Sequence, residues 1–280
     1  MMLSCRDTVL DLSEPRVMGV LNVTPDSFFD GGRFVDVAAS VSRGLAMVEE
    51  GAAIIDVGGE STRPGAAPVD AAEELARVIP VIEQLAARVS VPISVDTSKP
   101  QVMRAALAAG AGLVNDVRAL EAPGALRAVA DAGAAVCLMH MRGEPRSMQQ
   151  DPQYDDVVAE VGRYLAGRVA ACAAVGVGRE RICVDPGIGF GKRPEHNLAL
   201  LAGLDRIADP GIPVLVGVSR KSLIGIITGR PASGRLAGSV ALAALAVLRG
   251  AAIVRAHDVA ETVDAVKVAS ALRRSIAGGS

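Results

Sequence analysis

Eight times along the chain, an apolar run of β-forming residues ends in a polar side chain and opens into a loop or helix. The plainest copy is RICVDPGIGFGK, Arg181 to Lys192, where the run ends in Asp185 and a Gly-rich loop closes on a lysine. The others are MGVLN (Met18 to Asn22), IIDVGGE (Ile54 to Glu60), ISVDTSK (Ile93 to Lys99), LVND (Leu113 to Asp116), VCLMH (Val136 to His140), VLVGVSRK (Val214 to Lys221) and IVRAHD (Ile253 to Asp258). Strands buried on both faces read as continuous apolar runs, and parallel sheets are built from such strands. Eight is the number that closes a (β/α)8 barrel, and a chain of 280 residues fits the usual length of about 250. The pattern predicts an α/β fold of the TIM-barrel class: one domain over residues 1–280, with its core over about 17–274.

Helical spacing fills the gaps between the runs. Helices are expected from Asp36 to Glu50, ended by Gly51, from Lys99 to Ala109, from Pro123 to Ala132 and from Pro194 to about Ile207. Leu75, Val78, Ile79, Ile82, Leu85 and Val89 share one helical face, although Pro80 must either kink that helix or restart it. A longer helix carries Tyr154, Val157, Val158, Val161, Tyr164, Leu165 and Val169, and Asp258 with Glu261 starts the last one as a capping-box-like pair. Residues before Val17 alternate weakly and read as a short strand or hairpin at the bottom of the barrel, with a disordered tail as the alternative.

Half of the residues are hydrophobic, aromatic residues make up 2%, and there is no Trp. A core of Ala, Val, Leu and Ile suits layered parallel strands under helices. A formal net charge of -2 and the lack of a basic run exclude a non-specific nucleic-acid binder. Cys5, Cys137, Cys172 and Cys183 form no CxxC and have no nearby His at metal-ligand spacing, so they read as buried free thiols of a reducing compartment. The N-terminus shows no signal-peptide pattern, and the uncharged stretch from Leu236 to Leu248 is too short for a bilayer, which needs about 20 residues. It is read as a buried helix, and the protein as cytoplasmic, with no membrane partner.

Alternation of strand and helix makes the strands parallel, so their carboxyl ends share one face. Asn22, Asp56, Asp96, Asn115, Asp116, His140, Asp185, Ser219, Lys221, Arg255 and His257 converge there. Loops on that face are long and those opposite are short, as at an active-site rim. A buried carboxylate needs hydrogen-bond partners, so Asp96 and Asp185, like Asn115, either cap a helix or read a polar ligand. For Asp96, followed by Thr-Ser-Lys-Pro, capping is a serious rival; for Asp185, followed by Pro186 and a loop, the ligand is favoured. Ser219, Arg220 and Lys221 put a hydroxyl and two cations before a short helix, which suits an anion unless they form a solvated charge pair. Arg255 and His257 fall on one side of a strand beside a helix start, which suits a phosphate; alone, His257 would equally read as a core or capping histidine. Asn22 and the TPDS loop offer oxygens for Mg²⁺ held partly by substrate phosphates, although turn chemistry alone accounts for Pro25, Asp26 and Gly31. GIGFGK lacks the spacing of a P-loop. His140 and His196 read as structural.

At these residues a family comes into view. NVTPDSFFDGG, DVGGESTRPGA, SVDTSK, NDV, DPGIGFGK, SRKS, RLAGS and RAHDV, in that order from about Met18 to Lys267, resemble the dihydropteroate synthase family of pterin-binding barrels. Any one motif would be weak; eight in the family's order are specific. Phe29 and Arg142 depart from the family's usual residues and put loop dynamics, not the reaction, in question.

The resemblance implies a transferase that joins 6-hydroxymethyl-7,8-dihydropterin diphosphate to p-aminobenzoate with Mg²⁺ as cofactor, and a homodimer. It implies that Asp96, Asn115, Asp185 and Lys221 hold the pterin, with Arg255 and His257 on its diphosphate, Thr62 also touching this substrate, and Asn22 on the metal. Thr62, Arg63, Pro64, Phe190, Ser219 and Lys221, with Phe28, would line the p-aminobenzoate side, and Asp30 with Asp96, Lys221, Arg255 and His257 would carry the chemistry. Loops 23–34 and 58–70 would close over the reacting centre. Replacing Arg255 is then expected to depress turnover and leave folding intact. Two rivals remain at this point: a methyltetrahydrofolate:corrinoid methyltransferase type of barrel, which needs neither the diphosphate pole nor STRPG, and a silent pterin-binding paralogue.

Overall fold

The computed structural model describes residues 1–24, 36–61, 68–144 and 148–278. Two short strands, β1 (Met2–Cys5) and β2 (Thr8–Asp11), pair antiparallel. The eight expected runs follow as β3 (Arg16–Asn22), β4 (Ile54–Gly58), β5 (Ile93–Asp96), β6 (Leu113–Asp116), β7 (Ala135–Met139), β8 (Ile182–Asp185), β9 (Leu215–Gly217) and β10 (Ile253–Ala256). They pair in parallel in the order β8-β7-β6-β5-β4-β3-β10-β9, and a parallel bridge from Val184 to Val214 joins the two outer edges into a TIM barrel.

The helices are α1 (Val37–Glu49), α2 (Ala71–Ala86), α3 (Pro100–Ala108), α4 (Ala125–Ala132), α5 (Val157–Ala174), α6 (Pro194–Ala202), α7 (Ser222–Thr228), α8 (Leu236–Leu248) and α9 (Val259–Gly278). Local chemistry starts several of them. The Asp36, Asp70 and Asp156 carboxylates accept from Ala39 N, Glu73 N and Ala159 N at 2.9, 2.8 and 3.1 Å, caps worth about 1 kcal/mol each.

Two apolar layers hold the fold together. One lies between the strands and the helices. The other fills the bottom of the barrel, where Met18, Ile54, Leu113, Cys137, Cys183, Leu215 and Ile253 meet Leu3, Cys5, Leu10 and Leu12 of the N-terminal segment. The hairpin alternative for the N-terminus is therefore the one the chain adopts, as a plug under the barrel. Burying four otherwise exposed apolar side chains stabilises it by several kcal/mol, at about 1.5 to 3 kcal/mol each. All four cysteines are buried free thiols, as expected.

Three expectations about helices change, and for Pro80 the restart is ruled out: α2 runs on through it, because Val78, Val81, Ile82 and Leu85 are buried against the barrel and that packing outweighs the cost of proline, about 3 kcal/mol. α5 starts only at Val157, capped by Asp156, so Tyr154 lies before the helix and its hydroxyl donates to Gly191 O at 2.9 Å. α6 stops at Ala202, and Leu204–Arg206 forms a separate 3-10 turn after Gly203. α8 is not a buried helix: Ser239, Ala243, Ala246 and Val247 face inward, while Leu245 is 56% exposed. A barrel covers each outer helix on one side only, so even an apolar helix keeps an outer face.

Candidate active site

Strand register sets the mouth of the barrel. Asp96 at the end of β5 pairs with Asn115 on β6, and Met139 at the end of β7 pairs with Asp185 on β8. The N-cap of α3 is Lys99, with no side-chain cap bond, so Asp96 does not cap that helix. Its carboxylate faces the interior instead.

Arg255 donates from Nε to Asp56 Oδ2 at 2.6 Å and from Nη2 to Asp96 Oδ2 at 2.7 Å. Asn115 Nδ2 donates to the same Asp56 oxygen at 3.0 Å. With its amide nitrogen turned to Asp56, Asn115 keeps its oxygen as an acceptor for a ligand. One half-buried guanidinium thus serves two buried carboxylates. Burial pushes Asp96 up to about 7; Arg255 pulls it down and Asp56 pushes it further up. Burial works against the charge of Arg255, but Asp56 and Asp96 hold it protonated throughout the accessible pH range. Two of its five N–H groups are used by these carboxylates, which leaves donors for an anion among the described residues.

Asp185 Oδ1 accepts from Gly187 N at 2.7 Å, a bond that fixes the start of the Gly-rich loop. Burial raises the Asp185 carboxyl above its ordinary range, with Lys221 acting against that rise. Lys221 donates from Nζ to Ile188 O and stands 4.5 Å over the Phe190 ring. Burial draws Lys221 down to about 8, against the attraction of Asp185. Asp185, Lys221 and Phe190 are therefore one group, assembled by the loop between β8 and α6. The cation and the ring together make a surface that suits a flat, electron-rich ligand.

Ser219 and His257 form a second pair. His257 N donates to Ser219 Oγ at 3.2 Å, and Ser219 Oγ lies 3.0 Å from His257 Nδ1. If the hydroxyl gives its hydrogen to Nδ1, the imidazole carries its own on Nε2 and presents a donor there. Ser219, expected beside p-aminobenzoate, is thus also tied to the histidine. Arg220 turns away from the mouth and pairs with Asp258, so the Asp258 carboxylate is spent on a cation.

Asn22 ends β3, half-buried, beside Gly58. Among the described residues no group of three or more His, Cys, Asp or Glu is arranged to hold a metal. His140 and His196 are structural, as expected: His140 Nδ1 lies 3.0 Å from Lys192 Nζ, and His196 Nδ1 accepts from Arg193 N at 3.2 Å at the start of α6. Phe28, Asp30, Thr62, Arg63 and Pro64 lie outside the described residues.

Asp56 was legible as a strand-end carboxylate but had no part in the expected site. The signal was there: a charged residue in the run IIDVG, wholly buried, must be paired. Its partners, Asn115 and Arg255, come from strands 59 and 199 residues further along the chain. Nothing in local spacing connects them.

Comparison with known proteins gives this geometry its context. Residues 18–257 match the family described as pterin binding enzyme. A dihydropteroate synthase of Escherichia coli K12 is 53% identical over 271 residues, covering 97% of this chain and 96% of its own. The structure of a Xanthomonas albilineans dihydropteroate synthase with 4-aminobenzoic acid superposes with a TM-score of 0.91 at 55% identity, covering 97% of this chain and 98% of its own. A structure of the enzyme from the same organism in complex with 7,8-dihydropteroate gives 0.89 at 52% identity, covering 98% and 99%. The buried Asp and Asn residues with Lys221 beside them, next to an arginine and histidine pole, are thus carried by a chain alike over nearly its whole length to these enzymes, and the chain belongs to the pterin-binding enzyme family, among the dihydropteroate synthases.

Proposed function

We propose that this barrel condenses 6-hydroxymethyl-7,8-dihydropterin diphosphate with p-aminobenzoate, releasing diphosphate and forming 7,8-dihydropteroate for folate biosynthesis. The observation that carries the reading is the burial of Asp96, Asn115 and Asp185 at neighbouring strand ends, with half-buried Lys221 over the loop after Asp185 and Arg255 bound to Asp96. The amino and ring N–H donors of a pterin need acceptors, which Asp185 and the Asn115 oxygen supply, and Lys221 donates to its carbonyl. The remaining N–H groups of Arg255 and the Nε2–H of His257 would meet the diphosphate.

The geometry suits a dissociative transfer. The bond from the pterin methylene carbon to the diphosphate oxygen breaks first, and its electron pair leaves with diphosphate. The cation left on the methylene is delocalised into the ring and faces the Asp96 carboxylate, which stabilises it electrostatically. The arylamine nitrogen then forms the new C–N bond and loses a proton. Phe190 and Lys221 would flank the arylamine, with Ser219, Phe28, Thr62, Arg63 and Pro64 completing its pocket and Asp30 close to the chemistry. Excluding water matters, because water competes as a nucleophile.

Asn22 fits Mg²⁺ of the kind held mostly by substrate phosphates and water: it offers a single neutral, half-buried oxygen, and among the described residues no closed cage surrounds it. When bound, the ion would offset charge on the leaving diphosphate. The four buried thiols support a reducing, cytoplasmic setting, and the chain would work as one pterin-binding domain. No described helix is long and apolar enough to cross a membrane. A homodimer through α8 and α9 is supported by the exposed Leu245, Val268, Leu272 and Ile276 on that face; sedimentation at a dimer's mass is the expected result.

One assay tests the reading. The protein is mixed with pterin diphosphate, Mg²⁺ and p-aminobenzoate, and dihydropteroate is sought by chromatography. Formation of the product, with sulfonamides competing against p-aminobenzoate, is expected; no product would overturn the reading.

A further inference from the structure

Lys192 is the most buried lysine of the chain's mouth, 2% exposed, and the chemistry above makes no use of it. Its Nζ lies 3.0 Å from His140 Nδ1 and donates to His140 O at 3.2 Å and to Phe190 O at 3.0 Å. Three partners match the three N–H groups of an ammonium. Two of them belong to the end of β7 and the third to the loop between β8 and α6, so the side chain is a strut between two segments.

The surroundings show that this contact has no slack. A Cβ at Gly187 would run into the His140 carbonyl, and one at Gly191 into the Arg142 carbonyl, so the loop lies backbone to backbone on residues 140–142. Both glycines have positive φ, 68° and 64°, which bends the loop onto that surface. The stretch held down in this way carries the Gly187 N–H on Asp185, the Ile188 carbonyl that takes Lys221, and the Phe190 ring under Lys221. Outer anchors add to it: Gln149 Nε2 donates to Gly189 O at 2.6 Å and Tyr154 to Gly191 O at 2.9 Å. Of these, Lys192 alone grips the Phe190 backbone.

We propose that Lys192 is a positioning residue for the p-aminobenzoate half of the site, setting the height of Phe190 and of the Lys221 cation above it by clamping loop 186–192 to the end of β7. It touches no reacting atom. The inference rests on the proposed reaction. It deepens that reading by separating the two substrates: Phe190 lies inside the clamped loop, whereas Asp96 and Asn115 lie on β5 and β6 and Asp185 ends β8 before it; the pterin side meets the loop through Lys221 and the Gly187 N–H on Asp185, so pterin binding depends on the strut less than p-aminobenzoate binding does.

The test is Lys192→Met, close in length but without donors, beside Lys192→Gln, which keeps two N–H groups. In steady-state kinetics the methionine variant should raise the KM for p-aminobenzoate on the order of tenfold, the scale of a small misplacement of a binding group. The KM for pterin diphosphate should move less than about threefold, and the glutamine variant should recover part of the loss. Hydrogen exchange supplies a readout without turnover: the amides of Gly187, Gly189 and Phe190 should exchange roughly tenfold faster in Lys192→Met than in the parent chain. A parallel loss for both substrates, a fall in kcat alone, or unchanged exchange in that loop would overturn the proposal. Parent protein that makes no dihydropteroate would overturn the reaction instead, and the exchange result would still decide the strut.

Discussion

Arg255 donates its Nε–H to Asp56, 2.6 Å away, so the guanidinium at the barrel mouth is already held by a carboxylate with no exposure to solvent. A cation meant only for a phosphate would not need a buried counter-ion. The pairing fixes the plane of the guanidinium, and the same carboxylate also orients the Asn115 amide, whose oxygen is the acceptor proposed for the pterin. Arginine's fork keeps further N–H groups for an anion while two of them are occupied.

Asp56→Asn should therefore impair both halves of the pterin diphosphate site without removing a residue that touches the reacting atoms. The loss of a hydrogen bond to a charged group is worth about 1.5 to 3 kcal/mol, so kcat/KM for pterin diphosphate should fall at least about tenfold. Steady-state kinetics with that substrate varied would show it. Wild-type efficiency would mean that Asp96 alone orients Arg255.

Asp96 should make the reaction pH-dependent. With its carboxyl raised to about 7, chiefly by burial, activity that needs the carboxylate climbs as pH rises through 7. Stability runs the other way. The ordinary value is 3.8 and the folded value is higher, so the folded chain keeps a proton that the unfolded chain has lost. That contribution is full below about pH 4 and disappears as pH rises through about 7. Asp96→Asn should lose turnover, flatten this part of the profile and melt no lower than the parent above pH 7. Thermal melts across pH, with the rate profile beside them, check both signs.

Arg255→Ala should cost stability as well as turnover, which revises the expectation drawn from the sequence. Removing the cation strands Asp56 and Asp96 together in a buried site, where breaking such a pair costs about 3 to 5 kcal/mol. Denaturant unfolding should show the loss, and it should ease at low pH as Asp96 takes up its proton. Arg255→Lys should restore part of the stability and less of the activity, because one ammonium does not replace the fork.

Asp185→Asn should weaken pterin binding by roughly 1 to 3 kcal/mol, since it exchanges a charged acceptor for a neutral one. The bond from Gly187 N can survive through the amide oxygen, so the loop should keep its shape. Calorimetry with the pterin substrate reads the change. Unchanged affinity would move the pterin elsewhere on the barrel floor.

The sequence alone determined the class of fold and which polar residues end its strands on one face. Eight apolar runs ending in polar residues can only be buried on both sides as parallel strands, and parallel strands put all those ends together. Asn22, Asp96, Asn115, Asp185, Lys221, Arg255 and His257 were legible for that reason, because alternation along the chain is a local signal. Their pairings were not. That Arg255 is shared by Asp56 and Asp96, that Ser219 orients His257, and that Lys192 clamps the Gly-rich loop to His140 depend on side chains from strands far apart in sequence. Only closure of the barrel brings these groups within hydrogen-bond reach, and only the loss of water there forces each charge to find a partner. The outer face of α8 escaped the sequence for a related reason: composition says that a helix is apolar, while the tertiary structure decides which side is covered.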